Sequence, residues 1–179
     1  PAGDEATSDT PLPNTLTPQL ATRVSAAPST PGWAYELKYD GYRILTRVSS
    51  GKARFHTRNG HDWTHRLPAL AKAFEAEAMP DGWYDGEIVM LDEDGRPDFQ
   101  ALQNTFEGER AAGHRARSKQ RANAAPPADA NGPVYFLFDL PWLEGQDLRR
   151  HPLQDRQARL ATLMQRVRHP QLRPSSVFT

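Results

Sequence analysis

Apolar residues recur along this chain with two periods, and each period predicts a different element. From Gly32, Trp33, Tyr35 and Leu37 alternate with Ala34, Glu36 and Lys38. That period of two predicts a strand with a bulky apolar face and a second face carrying Glu36 and Lys38 side by side. Asp40-Gly41 signals a turn. Tyr42 to Val48 then reads as a second strand, Ser50-Gly51 as a turn and Ala53 to Thr57 as a third strand, which together predict an antiparallel meander. Leu67, Leu70, Ala71, Phe74 and Ala78 fall at helical spacing with Pro68 in the first turn, and Met79-Pro80-Asp81-Gly82 ends that helix. Trp83 to Leu91 reads as a strand, most apolar from Ile88 onward, and Asp92 to Gly95 turns it. Asp98 is placed to cap a helix holding Phe99, Leu102 and Phe106 on one side. Val134 to Phe138 predicts a strand before Asp139-Leu140-Pro141, and Leu153, Leu160, Leu163, Met164 and Val167 mark a last helix from about Pro152 to Arg168.

Two stretches lack either period. Residues 1–31 are rich in Pro, Thr, Ser and Ala and read as a linker or an extended arm ahead of a folded unit spanning 32–179. Residues 107–133 are a low-complexity run of Ala, Arg, Gly and Pro, with too few large apolar groups to pack, and read as a flexible insertion. Its basic run, with Arg115, Arg117, Lys119 and Arg121, reads as solvated rather than as a contact to DNA backbone, because no aromatic residues are interleaved for stacking.

Composition narrows the picture. The 179 residues carry 22 basic and 22 acidic side chains, so the formal net charge is zero. Phosphate neutralisation dominates nucleic-acid affinity, so composition alone argues against a nucleic-acid protein, and any such case must come from local arrangement. No apolar run approaches the ~20 residues needed to cross a bilayer. Cysteine is absent, which excludes disulfides and thiolate metal sites and is compatible with a reducing compartment. The chain opens on proline rather than methionine, as expected of a piece of a longer polypeptide or of a trimmed chain.

The candidate chemistry centres on Lys38-Tyr39-Asp40-Gly41-Tyr42-Arg43. A lysine near a strand end is held with its amine at an edge, and to act as a nucleophile it must lose its proton, which needs partial burial or neighbouring positive charge. Arg43 is placed to supply such charge and to bind phosphates. Alone, Lys-x-Asp-Gly also reads as a hairpin turn with a solvated lysine.

Its company decides between these readings. Glu36-Leu37-Lys38-Tyr39-Asp40-Gly41-Tyr42-Arg43 resembles the nucleotidyltransferase signature of ATP-dependent DNA ligases. Thr57-Arg58-Asn59-Gly60, Asp85-Gly86-Glu87-Ile88-Val89 and Tyr135-Phe136-Leu137-Phe138-Asp139-Leu140 resemble further motifs of that family, in the family's order. The likeness runs from about Leu12 onward, and Asp98-Phe99-Gln100-Ala101-Leu102-Gln103 brings it nearest to the ligase module of bacterial DNA ligase D.

That resemblance implies an α+β fold: antiparallel sheets flanked by helices, the nucleotidyltransferase (ATP-grasp-like) ligase core, incomplete at its C-terminal end. It implies that Lys38 attacks the α-phosphorus of ATP and keeps AMP as a covalent phosphoramidate, and that Glu36 reads the adenine amino group. Leu37, Arg43 and Arg58 fall among the nucleotide contacts, Glu87 holds the ribose hydroxyl and helps to place a metal, and Phe138 stacks on the purine. The implied metal is magnesium (or manganese). The implied partner is nicked or broken double-stranded DNA, handled in a bacterial cytoplasm at the nucleoid by an enzyme of break repair and end joining, with no membrane involved. A further glutamate motif, a lysine-rich motif and an oligonucleotide-binding-fold domain are expected downstream in the parent chain, along with other end-joining modules or proteins. The rival readings are another covalent nucleotidyltransferase, such as an RNA ligase or an mRNA capping enzyme, and a fragment that binds nucleotide or DNA without chemistry.

Overall fold

A computed structural model of the chain describes residues 10–106 and 132–178. The main sheet runs in the order β3 (Lys52–Thr57), β2 (Tyr42–Ser49), β4 (Gly82–Val89), β5 (Val134–Leu143) and β6 (Gln146–Asp147), each antiparallel to its neighbour. A sixth strand, β7 (Leu172–Pro174), runs parallel to β5. A separate two-stranded ribbon joins β1 (Tyr35–Glu36) to β8 (Val177–Phe178).

Because side chains alternate along a strand, the sheet has two distinct faces. Ile44 and Val48, Phe55, Tyr84 and Ile88, and Tyr135 and Leu137 point to the face that carries the main core. Three helices complete that core: α1 (Pro68–Ala76) with Leu70 and Phe74, α2 (residues 99–106) with Leu102 and Phe106, and α3 (Leu153–Met164) with Leu160 and Met164. The fully buried Tyr135 hydroxyl donates to Ile44 O (2.6 Å) and accepts from Thr46 Oγ1 (3.1 Å), so no polar group is left orphaned at that point.

The other face is read off the strand register as rows. Arg43 lies opposite Glu87, and Glu87 opposite Phe136. The next row is His56, Leu45, Asp85 and Asp139, and the one after it Arg54, Arg47, Trp83 and Trp142. Leu45, Trp83 and Trp142 form a second small apolar cluster, closed by Leu12 and Leu16 of the N-terminal segment. That segment lies across the sheet: Thr10 N–H donates to Gly145 O (2.8 Å), and Pro13 O accepts from Trp83 Nε1 (2.9 Å) and Arg47 Nε (3.1 Å). Residues 10–19 of the expected arm are therefore packed against the sheet, not free of it.

Several expectations need correction. The strand predicted from Trp33 to Lys38 contracts to Tyr35–Glu36, and its bulky positions stay exposed (Trp33 53%, Tyr35 42%, Leu37 52%) because its one strand partner is the short β8. It takes no part in a meander, since β4 occupies the free side of β2. β5 continues through Pro141 to Leu143, which register shifts against β4 permit. α3 stops at Met164, and single turns carry the chain on to Val167. The expected insertion and its basic run lie, up to residue 131, outside the described residues.

Gly86 shows how tightly β4 and β5 are pressed together. A Cβ there would sit 2.3 Å from Phe136 O and 2.6 Å from Tyr135 Cε2. Gly86→Ala is therefore expected to destabilise the fold by about 2–3 kcal/mol, read as a lowered midpoint in urea denaturation.

Candidate active site

The site face is organised by two buried carboxylates that face each other across β4 and β5. Asp85 and Asp139 are register partners, 1% and 5% exposed. Each takes a bidentate guanidinium. Arg43 reaches Asp85 through Nε (3.0 Å) and a terminal nitrogen (2.8 Å), and Arg156 of α3 reaches Asp139 in the same way (2.7 and 2.9 Å). Burial pushes the Asp85 carboxyl up, the Arg43 hydrogen bond pulls it back, and the facing Asp139 raises it again. Gln19 of the arm joins the two pairs, its main-chain oxygen accepting from Arg43 and its side-chain oxygen from Arg156, both at 2.8 Å.

The predicted residues gather around this pair. The Arg43 guanidinium stands 5.3 Å from the centre of the Phe138 ring. Glu87, two residues beyond Asp85 on the same face, is half-buried. Its carboxyl is pushed up to about 7 by burial, while Arg43 and Lys38 act electrostatically to lower it and Asp85 to raise it. Glu36 is raised by burial and senses Asp139, Arg43 and Asp85, which sets it beside the same cluster. Gln157, next to Arg156 on α3, donates to the Glu36 carboxylate and, at 3.4 Å, to Phe138 O. One amide thus ties together the two groups expected at a purine.

Lys38 is solvent-exposed in the irregular segment between β1 and β2, within electrostatic reach of Glu87. That segment is fixed from behind by Gly41. The expected role of Gly41 in shaping a turn gives way to close approach: a Cβ there would meet Ile88 O at 2.1 Å, and its backbone N–H serves the Glu87 carboxylate. Tyr39 stacks on Phe136, with ring centres 4.1 Å apart. The structure therefore brings Lys38, Glu36, Arg43, Glu87 and Phe138 together. Leu37 is exposed, and Arg58 is exposed in the turn that follows Thr57, the register partner of Ile44, so it lies just past the β2–β3 ladder at the end where Arg43 stands.

For a metal, no group of three or more His, Cys, Asp or Glu side chains is assembled among the described residues. Asp85 and Asp139 are committed to arginines, which leaves Glu87, served by the Gly41 N–H, as the site's candidate carboxylate for a metal. One carboxylate suits magnesium, which keeps several waters and takes its remaining ligands from substrate phosphates.

The chain's sequence from residue 18 to residue 177 matches the family model described as ATP dependent DNA ligase domain. The chain belongs to the ATP-dependent DNA ligase family. It is 47% identical over 156 residues to the multifunctional non-homologous end joining protein LigD of Pseudomonas aeruginosa, covering 87% of this chain and 16% of that protein. The corresponding LigD of Mycobacterium tuberculosis is 33% identical over 149 residues, covering 83% and 17%. Among solved structures, the ligase domain of M. tuberculosis LigD superposes with a TM-score of 0.61 at 27% identity, over 82% of this chain and 40% of that one. A mycobacterial DNA ligase D complexed with ATP and MES superposes with a TM-score of 0.60 over the same shares. The chain thus spans about a sixth of the length of the full LigD relatives, and its fold is that of ligase nucleotidyltransferase domains.

Sequence reading missed Asp85, Asp139, Arg156, Gln19 and Gln157 as parts of this cluster. Asp85 and Asp139 were in view beside Glu87 and Phe138; nothing in a polar helix or an extended arm marks the other three. The contrast between ion pairs is testable. Arg156→Leu leaves a buried carboxylate without its partner and is expected to cost about 3–5 kcal/mol. Arg149→Ala, which breaks the more exposed pair with Asp147, is expected to cost under about 1 kcal/mol, both read by urea denaturation.

Proposed function

We propose that this chain performs the adenylation step of an ATP-dependent DNA ligase, with Lys38 as the nucleophile. The observation that carries the reading is that Gln157 ties Glu36 to Phe138 beside the Arg43–Glu87 pair, with Lys38 within electrostatic reach of Glu87. In this reading the Lys38 Nζ lone pair attacks the α-phosphorus of ATP. The bond to pyrophosphate breaks, a phosphorus–nitrogen bond forms, and the amine proton leaves to solvent or a neighbouring base. Phe138 stacks on the purine, Glu36 accepts from its amino group, and Gln157 holds both in place. Glu87 accepts from the ribose hydroxyl, and Arg43, pinned by Asp85, faces the phosphates. A divalent cation held by Glu87 and the phosphates would neutralise charge that builds during displacement. AMP would then pass to a DNA 5′-phosphate, and an adjacent 3′-hydroxyl would displace it. The names of the LigD relatives support end joining as the setting.

Incubation of the polypeptide carrying this chain with ATP and magnesium is expected to add one AMP to its intact mass, and Lys38→Ala to abolish the adduct. Labelling by GTP in place of ATP would sink the ligase reading.

Glu87 supplies a pH test. With its carboxyl titrating at about 7, the acceptor form accumulates as pH rises through that value, so affinity for ATP is expected to increase across pH 6–8. Glu87→Gln loses a hydrogen bond to a charged group, roughly 10- to 100-fold in affinity, and its remaining binding should be flat over the same range. A wild-type profile as flat as the variant's would remove Glu87 from the site.

A further inference from the structure

Net charge is zero, yet the positive charge is not evenly spread. On the site face, at the corner where β2 and β3 meet, Arg47 and Arg54 are direct cross-strand partners, Ser49 faces Lys52, and His56 faces Leu45. Together with Asn14 of the arm, Arg47, Ser49, Lys52, Arg54 and His56 line a groove of about 500 Å³. No acidic residue lines it among the described residues. Like charges placed directly opposite on neighbouring strands destabilise a sheet, so an Arg–Arg pair at this register costs the fold stability. Arg47 is held by neutral acceptors, Pro13 O at 3.1 Å and Asn14 Oδ1 at 3.5 Å, so its charge is fixed in place without being cancelled. Asp62 acts on His56, but its carboxylate is engaged by Thr64 N–H (2.8 Å), and burial lowers the His56 pKa. The standing positive charge of the groove is therefore that of Arg47, Lys52 and Arg54. β3 is the outermost strand of the sheet, and Lys52 and Arg54 are exposed on it.

We propose that this groove is a track for the phosphodiester backbone of duplex DNA, with Arg47, Lys52 and Arg54 as its phosphate contacts. The proposal rests on the ligase reading for the identity of the polyanion. The groove lies on the same sheet face as the nucleotide site, and Arg47 stands four residues along β2 from Arg43, roughly 13 Å away. That is the axial rise of about four nucleotides of one strand. A strand of a duplex whose reacting end lies at Lys38 reaches the groove about that many phosphates along its length. A single triphosphate held at Lys38 does not extend across them. The groove also answers the charge balance of the chain: a neutral protein can bind DNA through one local set of cations.

The test is equilibrium binding of a nicked, 5′-phosphorylated DNA duplex followed by fluorescence anisotropy across a salt series. Each phosphate contact contributes about 0.9 to the slope of log affinity against log salt, so the double variant Lys52→Gln, Arg54→Gln is expected to lower that slope by about 2. Its affinity at 0.1 M salt should fall on the order of 50-fold from counterion release alone. Lys72→Gln, an exposed position on α1, is expected to leave the slope unchanged. An unchanged slope in the double variant, an equal loss in Lys72→Gln, or tighter binding of an RNA duplex of the same sequence would each overturn the proposal. AMP-adduct formation is followed in the same preparations, to separate two failures. A wild-type polypeptide carrying this chain that binds DNA in the groove but gains no adduct overturns the adenylation reading alone. An adduct with an unaltered salt slope in the double variant overturns the groove alone.

Discussion

Two acids buried face to face, Asp85 and Asp139, set the terms for the rest of the molecule. Each is paired with a guanidinium from a different part of the chain: Arg43 from the neighbouring strand for Asp85 and Arg156 from α3 for Asp139. In a low-dielectric setting such pairs are costly to break, although forming them gains little over an apolar pair of the same shape. Their value here is positional. Satisfying Asp139 fixes the start of α3, which brings Gln157 against Glu36 and Phe138. Satisfying Asp85 fixes Arg43 beside the Phe138 ring. Gln19, touching both arginines, makes the N-terminal segment part of the same unit.

How much of this was legible in the sequence follows from what each element packs against. β2, β3 and β4 have neighbours on both sides or a core beneath them, and they were legible with bounds nearly right, β2 and β3 between turn signals and β4 from its apolar run starting at Ile88. Tyr35–Glu36 showed an alternation of apolar and polar residues without the burial, because pattern records the side chains and not the presence of a second layer. β7 and β8 are too short for any period to show. At the site, strand periodicity set Glu36 beside Lys38, whereas Arg43, Glu87 and Phe138 were picked out only because their motifs resemble those of the ligase family. The contact from Gln19 to Arg156 joins residues 137 positions apart, and neither local spacing nor residue type hints at it.

The balance of charge carries a related lesson. A formal total of zero averages over faces with opposite characters. The centre of the site face holds acids closed off by arginines, and the β2–β3 corner holds cations that are oriented but not cancelled. Such partition keeps the two kinds of charge from neutralising each other.

The ribbon between β1 and β8 has a kinetic meaning. It ties the segment leading into Lys38 to residues near the far end of the chain, so ordering that segment closes a loop comprising most of the polypeptide. Such closure carries an entropic toll that grows only logarithmically with loop length, yet it comes after nearer contacts have formed. The sheet and its helical layer are in place early in such a sequence. The segment leading into Lys38 is then ordered late, onto a sheet already formed.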